Sequence, residues 1–580
     1  MRDMETNRAS AQGQSTPAQR KHDRPLRSQM AQLFGGTSPA ATVSLISNWS
    51  LHLMSAPDKQ LSLAQKAQSN WVDWMNFVAK GCPADPQERP IAPLHSDRRF
   101  NGDAWQRPPF SAMSQAFLLA EDFADHATTD VPGLSPAQEA AMAFLSRQMM
   151  DAFAPSNFLP TNPDALDQTV KHKGANLLKG FSAFMKDKQA QALGKKGETP
   201  RHVGQDVAVT KGKVVYRNHL MELIQYEPQT EKVHAEPLLI VPAWIMKYYI
   251  MDLSPENSLV RYLVEQGFTV FMISWRNPDV ADAELGMADY LAMGPLAAID
   301  HIKESTGSSR LHGAGYCLGG TLLSIAAAKL ARDGDDSLCS MTLIAAQTDF
   351  QDAGELMLFI DESQVSVLED VMQAQGYLEA SQMASAFAML RSNDLLWSRM
   401  IHAYLMGEDP APMTDLMSWN MDTTRMPARM HSEYLRSMFL NNDLAAGRYA
   451  VDGHPVSLRD IRIPVFGVGT ETDHIAPWKS VFKIHNLGHA DVTFVLTNGG
   501  HNAGVISEPG HARRHYRQHT ILDRDRTLTP EDWLNAATLK KGSWWPAWSA
   551  WLAEHSSGLQ QALPLDPALG DAPGAYVQMT

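Results

Sequence analysis

The chain has 580 residues, 44% of them apolar, with 50 basic against 64 acidic side chains and a net charge of −14. This supports one large core with accessory units, and an acidic balance without a long basic run excludes nucleic acid as an expected partner. The three cysteines, Cys82, Cys317 and Cys339, are too few for a disulfide framework and lack zinc-type spacing, so a reducing cytoplasmic setting without a metal is expected.

Residues 1–37 are polar, with Pro and Gly and little periodicity, and read as a disordered tail. They lack the apolar stretch of a signal peptide, and no run of about 18 apolar residues follows that would cross a membrane. From Ala40 to about Lys80, apolar residues recur at helical spacing (Val43, Ile46, Trp49, Leu53, then Leu61, Trp71, Trp74, Phe77) and predict two amphipathic helices. Gly81-Cys82-Pro83 breaks the pattern, and Cys82 reads as structural. An extended stretch from Asp97 to Phe110 leads into further helices that reach about Asp187, with a loop over Pro155–Pro163. Lys186–Thr199 is rich in Lys, Gln and Gly and reads as a linker, so residues 38–199 form a helical N-terminal domain and linker.

Residues 200–580 read as the catalytic domain. Leu238–Val241 and Thr269–Ser274 are continuous apolar runs, as in strands buried on both faces. Ser254–Gln266 and Ala288–Thr306 lie between and after them as helices. Arg310–Ala314, Met341–Ala345, Val465–Val468 and Thr493–Leu496 are further short strands. This alternation implies a mostly parallel sheet covered on both faces, the frame on which an α/β-hydrolase fold is built. A helix-rich insert, about Asp352–Ala446, reads as a cap over the site.

Gly315-Tyr316-Cys317-Leu318-Gly319-Gly320 sits between the third of these strands and the apolar, Pro-free run Thr321–Arg332. That is the strand–turn–helix setting of a nucleophile elbow, with Cys in the nucleophile position. The glycines relieve crowding in a sharp turn, and the helix N-terminus favours a thiolate and an oxyanion.

A thiol nucleophile needs a base, and the base needs an orienting group. Asp473 follows the Val465–Val468 strand, and His501, in Gly499-Gly500-His501-Asn502-Ala503-Gly504, follows the Thr493–Leu496 strand. Nucleophile, acid and base thus stand at strand ends in the order Cys317, Asp473, His501 that this fold uses. Asp349, Asp361 and Glu362 compete for the acid, and His474, His485 and His489 for the base. Cys339 falls at a strand edge and reads as packing. The Leu318 amide is the first expected oxyanion donor; the second comes from the loop Pro242–Tyr248, with Ile245 the candidate. Arg513, Arg514, His515 and Arg517 form a basic cluster that reads as a solvated face, CoA phosphates being the other reading.

At these residues the sequence resembles the polyhydroxyalkanoate synthases, or poly(3-hydroxybutyrate) polymerases, from about Asp97 to Leu552. The likeness runs through Asp97-Arg98-Arg99-Phe100 with Trp105, Val241-Pro242-Ala243-Trp244-Ile245 and Asp252-Leu253-Ser254-Pro255-Glu256-Asn257-Ser258. It continues through Phe271–Pro278, the Gly315–Gly320 box, Asp349-Phe350, Trp419-Asn420 with Asp422, Met426-Pro427 and Tyr434-Leu435-Arg436. Asp473–Trp478, His501 with Ala503-Gly504, and Gly542-Ser543-Trp544-Trp545 complete it. The resemblance is to the single-chain class that often prefers short acyl groups. It implies an acyltransferase that takes (R)-3-hydroxyacyl-CoA and extends a polyester through a Cys acyl-enzyme. It also implies no cofactor beyond the CoA thioester substrate, and a cytoplasmic homodimer at the storage-granule surface. Asp473 would orient His501 or help activate the attacking 3-hydroxyl; both roles stay open at this point.

The family usually has a second Pro at Ala243, Asn at Met246, and Ser-Gly-His-Ile-Ala-Gly where this chain has Gly499–Gly504. Its following Asn-Pro-Pro is replaced here by Ser507-Glu508-Pro509. These changes lie beside the oxyanion loop and the base and leave Cys317, Asp473 and His501 intact. The alternatives are a thiol-dependent depolymerase or thioesterase on the same fold, and a granule-associated protein with little catalysis.

Overall fold

A computed structural model describes residues 38–94, 97–193, 201–379, 382–383, 392, 396–409, 413–525, 527–565 and 569–580. The expected disordered tail, residues 1–37, and the end of the expected linker, residues 194–200, lie outside the described residues.

Six helices open the described chain: α1 (Pro39–Met54), α2 (Pro57–Ala79), α3 (Phe110–Thr128), α4 (Pro136–Ala152), α5 (Pro163–Lys171) and α6 (Ala175–Ala192). Side-chain caps start several of them: Ser38 accepts from the Ala41 amide, and Ser135 with Gln138 forms a capping box at α4. Helix α6 runs to Ala192, into the stretch read as a linker, because Lys, Gln and Ala are good helix formers.

The catalytic part is built on an eleven-stranded sheet. In chain order its strands are β1 (Gly212–Arg217), β2 (Met221–Tyr226), β3 (Leu238–Val241), β4 (Val270–Trp275), β5 (Leu311–Tyr316) and β6 (Leu338–Ile344). They continue as β7 (Val465–Thr470), β8 (Val492–Thr497), β9 (His515–Ile521), β10 (Thr538–Lys541) and β11 (Gly570–Asp571). The spatial order is β10-β9-β8-β7-β6-β5-β3-β4-β2-β1-β11. The central strands β8, β7, β6, β5, β3 and β4 are parallel, and both flanks are antiparallel. The expected mostly parallel α/β-hydrolase sheet is therefore present, with antiparallel edges that the sequence did not announce.

Each central strand feeds two cores. Leu239 and Val241 of β3 join one apolar cluster and Leu238 and Ile240 the other, as a strand with alternating side chains must when both faces are covered. Helices α7 (Leu259–Glu265), α8 (Ala297–Thr306) and α9 (Leu318–Asp333) follow β3, β4 and β5 in turn. The helix expected over Ala288–Thr306 is interrupted at Ala292–Leu296, where Pro295 removes a donor and Gly294 leaves helical geometry. A Cβ on Gly294 would stand 2.4 Å from the Trp275 ring, so the kink is packed against β4.

Between β6 and β7 the insert is helical as expected, with α10 (Glu362–Gln375), Asp415–Met421 and Ala428–Tyr434 among its pieces. The N-terminal helices hold it: Asn176 of α6 donates to Leu405 O at 2.7 Å, and the Ser38 amide donates to Gln364 Oε1 at 2.7 Å. No helix among the described residues is long and apolar enough to cross a membrane.

Candidate active site

Cys317 caps α9 with φ +52° and ψ −125°, a conformation that costs energy for any residue with a Cβ. The surroundings enforce it. The Cys317 amide donates to Ile344 O at 2.9 Å, and a Cβ on Gly319 would fall 2.0 Å from Val241 O. That second closeness sets the first turn of α9 directly against the Pro242–Tyr248 loop. The Leu318 amide belongs to that first turn, where N–H groups have no intrahelical acceptor.

Asp473 and His501 arrive from the ends of β7 and β8, which lie side by side and are separated from β5 by β6. His501 Nδ1 lies 2.8 Å from Asp473 Oδ2, and both residues are buried. Thr470 Oγ1 also donates to Oδ2, while the Ile475 and Ala476 amides donate to Oδ1, all at 2.9 Å. The Cys317 thiol also acts on the His501 imidazole, so sulfur, imidazole and carboxylate are linked electrostatically. The structure thus brings together the three residues expected from the sequence.

The charge states follow from that linkage. Burial pulls the His501 pKa down, but the charges of Cys317 and Asp473 and the hydrogen bond to Asp473 outweigh it and raise the imidazole above its ordinary value. Burial pushes the Asp473 carboxyl up, and His501 with the surrounding donors brings it below its ordinary value. A positive imidazole between two groups that can carry negative charge is the state this arrangement favours.

The insert packs against the Pro242–Tyr248 loop. Thr424 donates through its amide to Ile245 O at 3.1 Å and through Oγ1 to Trp244 O at 2.5 Å. Trp419 Nε1 donates to Lys247 O at 2.7 Å, and the buried Tyr434 ring packs 5.8 Å from Trp244.

The other thiols are of a different kind. Cys339 lies 3.3 Å from His312 Nδ1, yet burial pushes its thiol up to about 12 and pulls His312 down to about 4, so both are neutral packing groups. Cys82 is buried. Iodoacetamide at neutral pH is expected to label Cys317 at least about tenfold faster than Cys339 or Cys82, read by peptide mass spectrometry. Equal labelling of Cys317 and Cys339 would contradict the electrostatics described.

A sequence profile described as Poly-beta-hydroxybutyrate polymerase (PhaC) N-terminus matches residues 96–263, and one described as alpha/beta hydrolase fold matches residues 236–505. A third, Poly-beta-hydroxybutyrate polymerase N terminal, matches residues 17–59. The Poly(3-hydroxyalkanoate) polymerase of Methylorubrum extorquens is 40% identical over 529 residues, covering 90% of this chain and 86% of that one. The chain belongs to the poly(3-hydroxyalkanoate) polymerase family. The Poly(3-hydroxyalkanoate) polymerase subunit PhaC of Cupriavidus necator is 38% identical over 507 residues, covering 85% of each chain.

Within this polymerase-family chain the competing acids and bases have other work. Asp361 Oδ1 accepts the Gln364 amide and caps α10, Glu362 pairs with Arg436, and Asp349 accepts from Asn442. His485 sets its two ring nitrogens against the Phe482 and Leu528 carbonyls. His489 lies 3.5 Å from Asp523.

The departures from the family pattern also have visible partners. Asn502, where the family usually has Ile, accepts from Tyr316 Oη at 2.6 Å and donates to Asn420 of the cap at 3.1 Å. Met246, in place of Asn, pairs through its backbone with Thr423 of the cap.

Sequence reasoning missed the residues that hold the His501 loop. Arg514 is half-buried and donates to the carbonyls of Asn498, Ala503 and Ile506, so it is not part of a solvated basic face. Trp544 and Trp545 donate to Gly504 O and Val505 O at 3.2 and 3.0 Å from the start of α11 (Trp545–Glu554). The Gly-Ser-Trp-Trp run was legible as a family mark; its contact with the base loop was not.

Proposed function

We propose that this chain is a polyester synthase that moves (R)-3-hydroxyacyl groups from CoA thioesters to a growing polyhydroxyalkanoate chain through an acyl-enzyme on Cys317. The carrying observation is the grouping of Cys317, Asp473 and His501 at the ends of β5, β7 and β8, with His501 hydrogen-bonded to Asp473 and raised in pKa by both partners.

The Cys317 sulfur attacks the thioester carbonyl and carries its negative charge onto the oxygen. That oxygen is held by the Leu318 and Ile245 amides, each worth about 3 kcal/mol of transition-state stabilisation. A peptide plane sets N–H opposite the preceding carbonyl, and Trp244 O faces Thr424, so the Ile245 amide is turned away from Thr424. As the carbonyl reforms, the C–S bond to CoA breaks and the leaving sulfur takes the proton from His501. One thioester has replaced another, so the acyl group stays activated. A hydroxyl then attacks the acyl-enzyme as His501 accepts its proton, the C–S bond to Cys317 breaks, and the ester is released with the thiolate beside a positive His501 restored.

Both Asp473 oxygens are taken by His501, Thr470 and two backbone amides, which favours orienting His501 over direct contact with the attacking hydroxyl. Water reaching the acyl-enzyme would release soluble acid, so polymerisation requires that the insert keep water out. The chemistry calls on no cofactor beyond the CoA substrate. The reading extends to a cytoplasmic homodimer at the storage-granule surface. Trp71, Leu61 and Leu51 support the surface association, since all three are exposed on the N-terminal helices.

The test is purified protein with (R)-3-hydroxybutyryl-CoA, following CoA release and polymer. CoA release with insoluble polyester is expected. Release with only soluble 3-hydroxybutyrate would make the chain a thioesterase, and no release would make it a granule protein with little catalysis.

A further inference from the structure

The loop assigned to the second oxyanion donor is held from two sides. The cap takes the Trp244, Ile245 and Lys247 carbonyls, as described above. The opposite side is occupied by a segment from the far end of the sequence. Strand β11 joins the sheet edge beside β1, and the chain turns at Gly574 with φ +84°. Glu222, whose side chain is fully buried, then accepts the Ala575 and Tyr576 amides, each at 2.9 Å. Val577 is buried in the same apolar cluster as Tyr248 and Tyr249. This seats the Met579 and Tyr576 carbonyls 2.6 and 3.4 Å from Lys247 Nζ, and Lys247 is only 3% exposed.

We propose that residues 570–579 form a strap that positions the oxyanion loop through Lys247. Lys247 is thereby a positioning residue for acyl transfer; the proposal rests on the reading of Pro242–Tyr248 as the oxyanion loop. A buried ammonium is costly unless acceptors surround it. The strap supplies two of those acceptors from main-chain carbonyls, so loop and strap are seated together or not at all. Lys247 carries both anchors at once: its carbonyl is fixed to Trp419 of the cap and its ammonium to the strap. An oxyanion hole works only when its amides stand within a fraction of an ångström of the developing charge. Freeing the strap side releases the backbone that carries the Ile245 amide.

The test is a four-cornered cycle in the polymerisation assay: the full chain and a chain ending at Gly574, each with and without Lys247→Met. Lys247→Met in the full chain is expected to lower kcat by about tenfold to a hundredfold with KM changed less than about twofold. Shortening the chain is expected to do the same. The two losses should not multiply, because both remove one anchor. Multiplying losses, or a fall confined to thermal stability, would overturn the strap.

Should the shortened chain fail to fold, hydrogen exchange on full-length Lys247→Met decides. The Thr424 amide, which donates to Ile245 O, should exchange at least about tenfold faster than in the unsubstituted chain. Unchanged exchange would overturn the proposal. If the unsubstituted chain releases no CoA, the polyester-synthase reading fails, while the exchange measurement still judges the strap.

Discussion

Cys317→Ala is expected to cut CoA release and polymer formation by about ten-thousandfold or more, with little change in the unfolding midpoint. The size follows from the chemistry. Without the sulfur no acyl-enzyme forms, and the oxyanion amides and His501 have only water or a bound hydroxyl to work with. The small structural effect follows from the fold. Cys317 is half-buried at a turn, and the strained backbone is set by the glycines around it and by Ile344, not by the thiol. Cys317→Ser is the sharper comparison. It keeps a nucleophile of similar shape within reach of His501, but a hydroxyl is a far weaker nucleophile and its ester transfers less readily than a thioester. Activity should remain more than about a hundredfold below the natural chain. Polymer formation by Cys317→Ala at the natural rate would remove the acyl-enzyme from the account.

Asp473→Asn is expected to lower kcat by roughly a thousandfold or more with little change in KM. The amide can keep the bonds from Ile475 and Ala476 and fill the same space. It cannot support a positive His501, and it favours the imidazole tautomer that points its proton the wrong way. The same substitution should alter stability against pH. The natural Asp473 has its carboxyl lowered, so its contribution is present above the ordinary carboxylate range and is lost as pH falls through the lowered folded value. His501 is raised, so its contribution is full below its ordinary value near about 6.5 and fades as pH rises through the higher folded value. Denaturant unfolding at several pH values should therefore show the largest gap between natural and Asp473→Asn protein in mildly acidic solution. A pH-independent gap would mean that the pair carries no charge coupling.

The central strands and the elbow were legible because their physics is local. Leu238–Val241 had to be a two-face-buried strand, and a Gly-flanked Cys before an apolar Ala- and Leu-rich run had to be a turn into a helix. The edges were not legible. His515–Ile521 holds only two apolar residues, Tyr516 and Ile521, and reads like surface, yet Tyr516–Ile521 pairs with the whole of β8. Arg514 looks like one basic residue among several, and only the folded loop shows three carbonyls converging on it. Asn502 reads as a departure from the family pattern until Tyr316 and Asn420 are placed on either side of it. Lys247 and Met579 are far apart in sequence, and no spacing rule relates them.

The most direct measurement is acylation by butyryl-CoA, which lacks the 3-hydroxyl and so can load the enzyme without being extended. Peptide mass spectrometry after rapid quenching should find the butyryl group on the peptide that holds Cys317, with equivalent CoA released. A butyryl group on Cys339, Cys82 or a serine, or polymer growth from the natural substrate while Cys317 stays unacylated, would contradict the account.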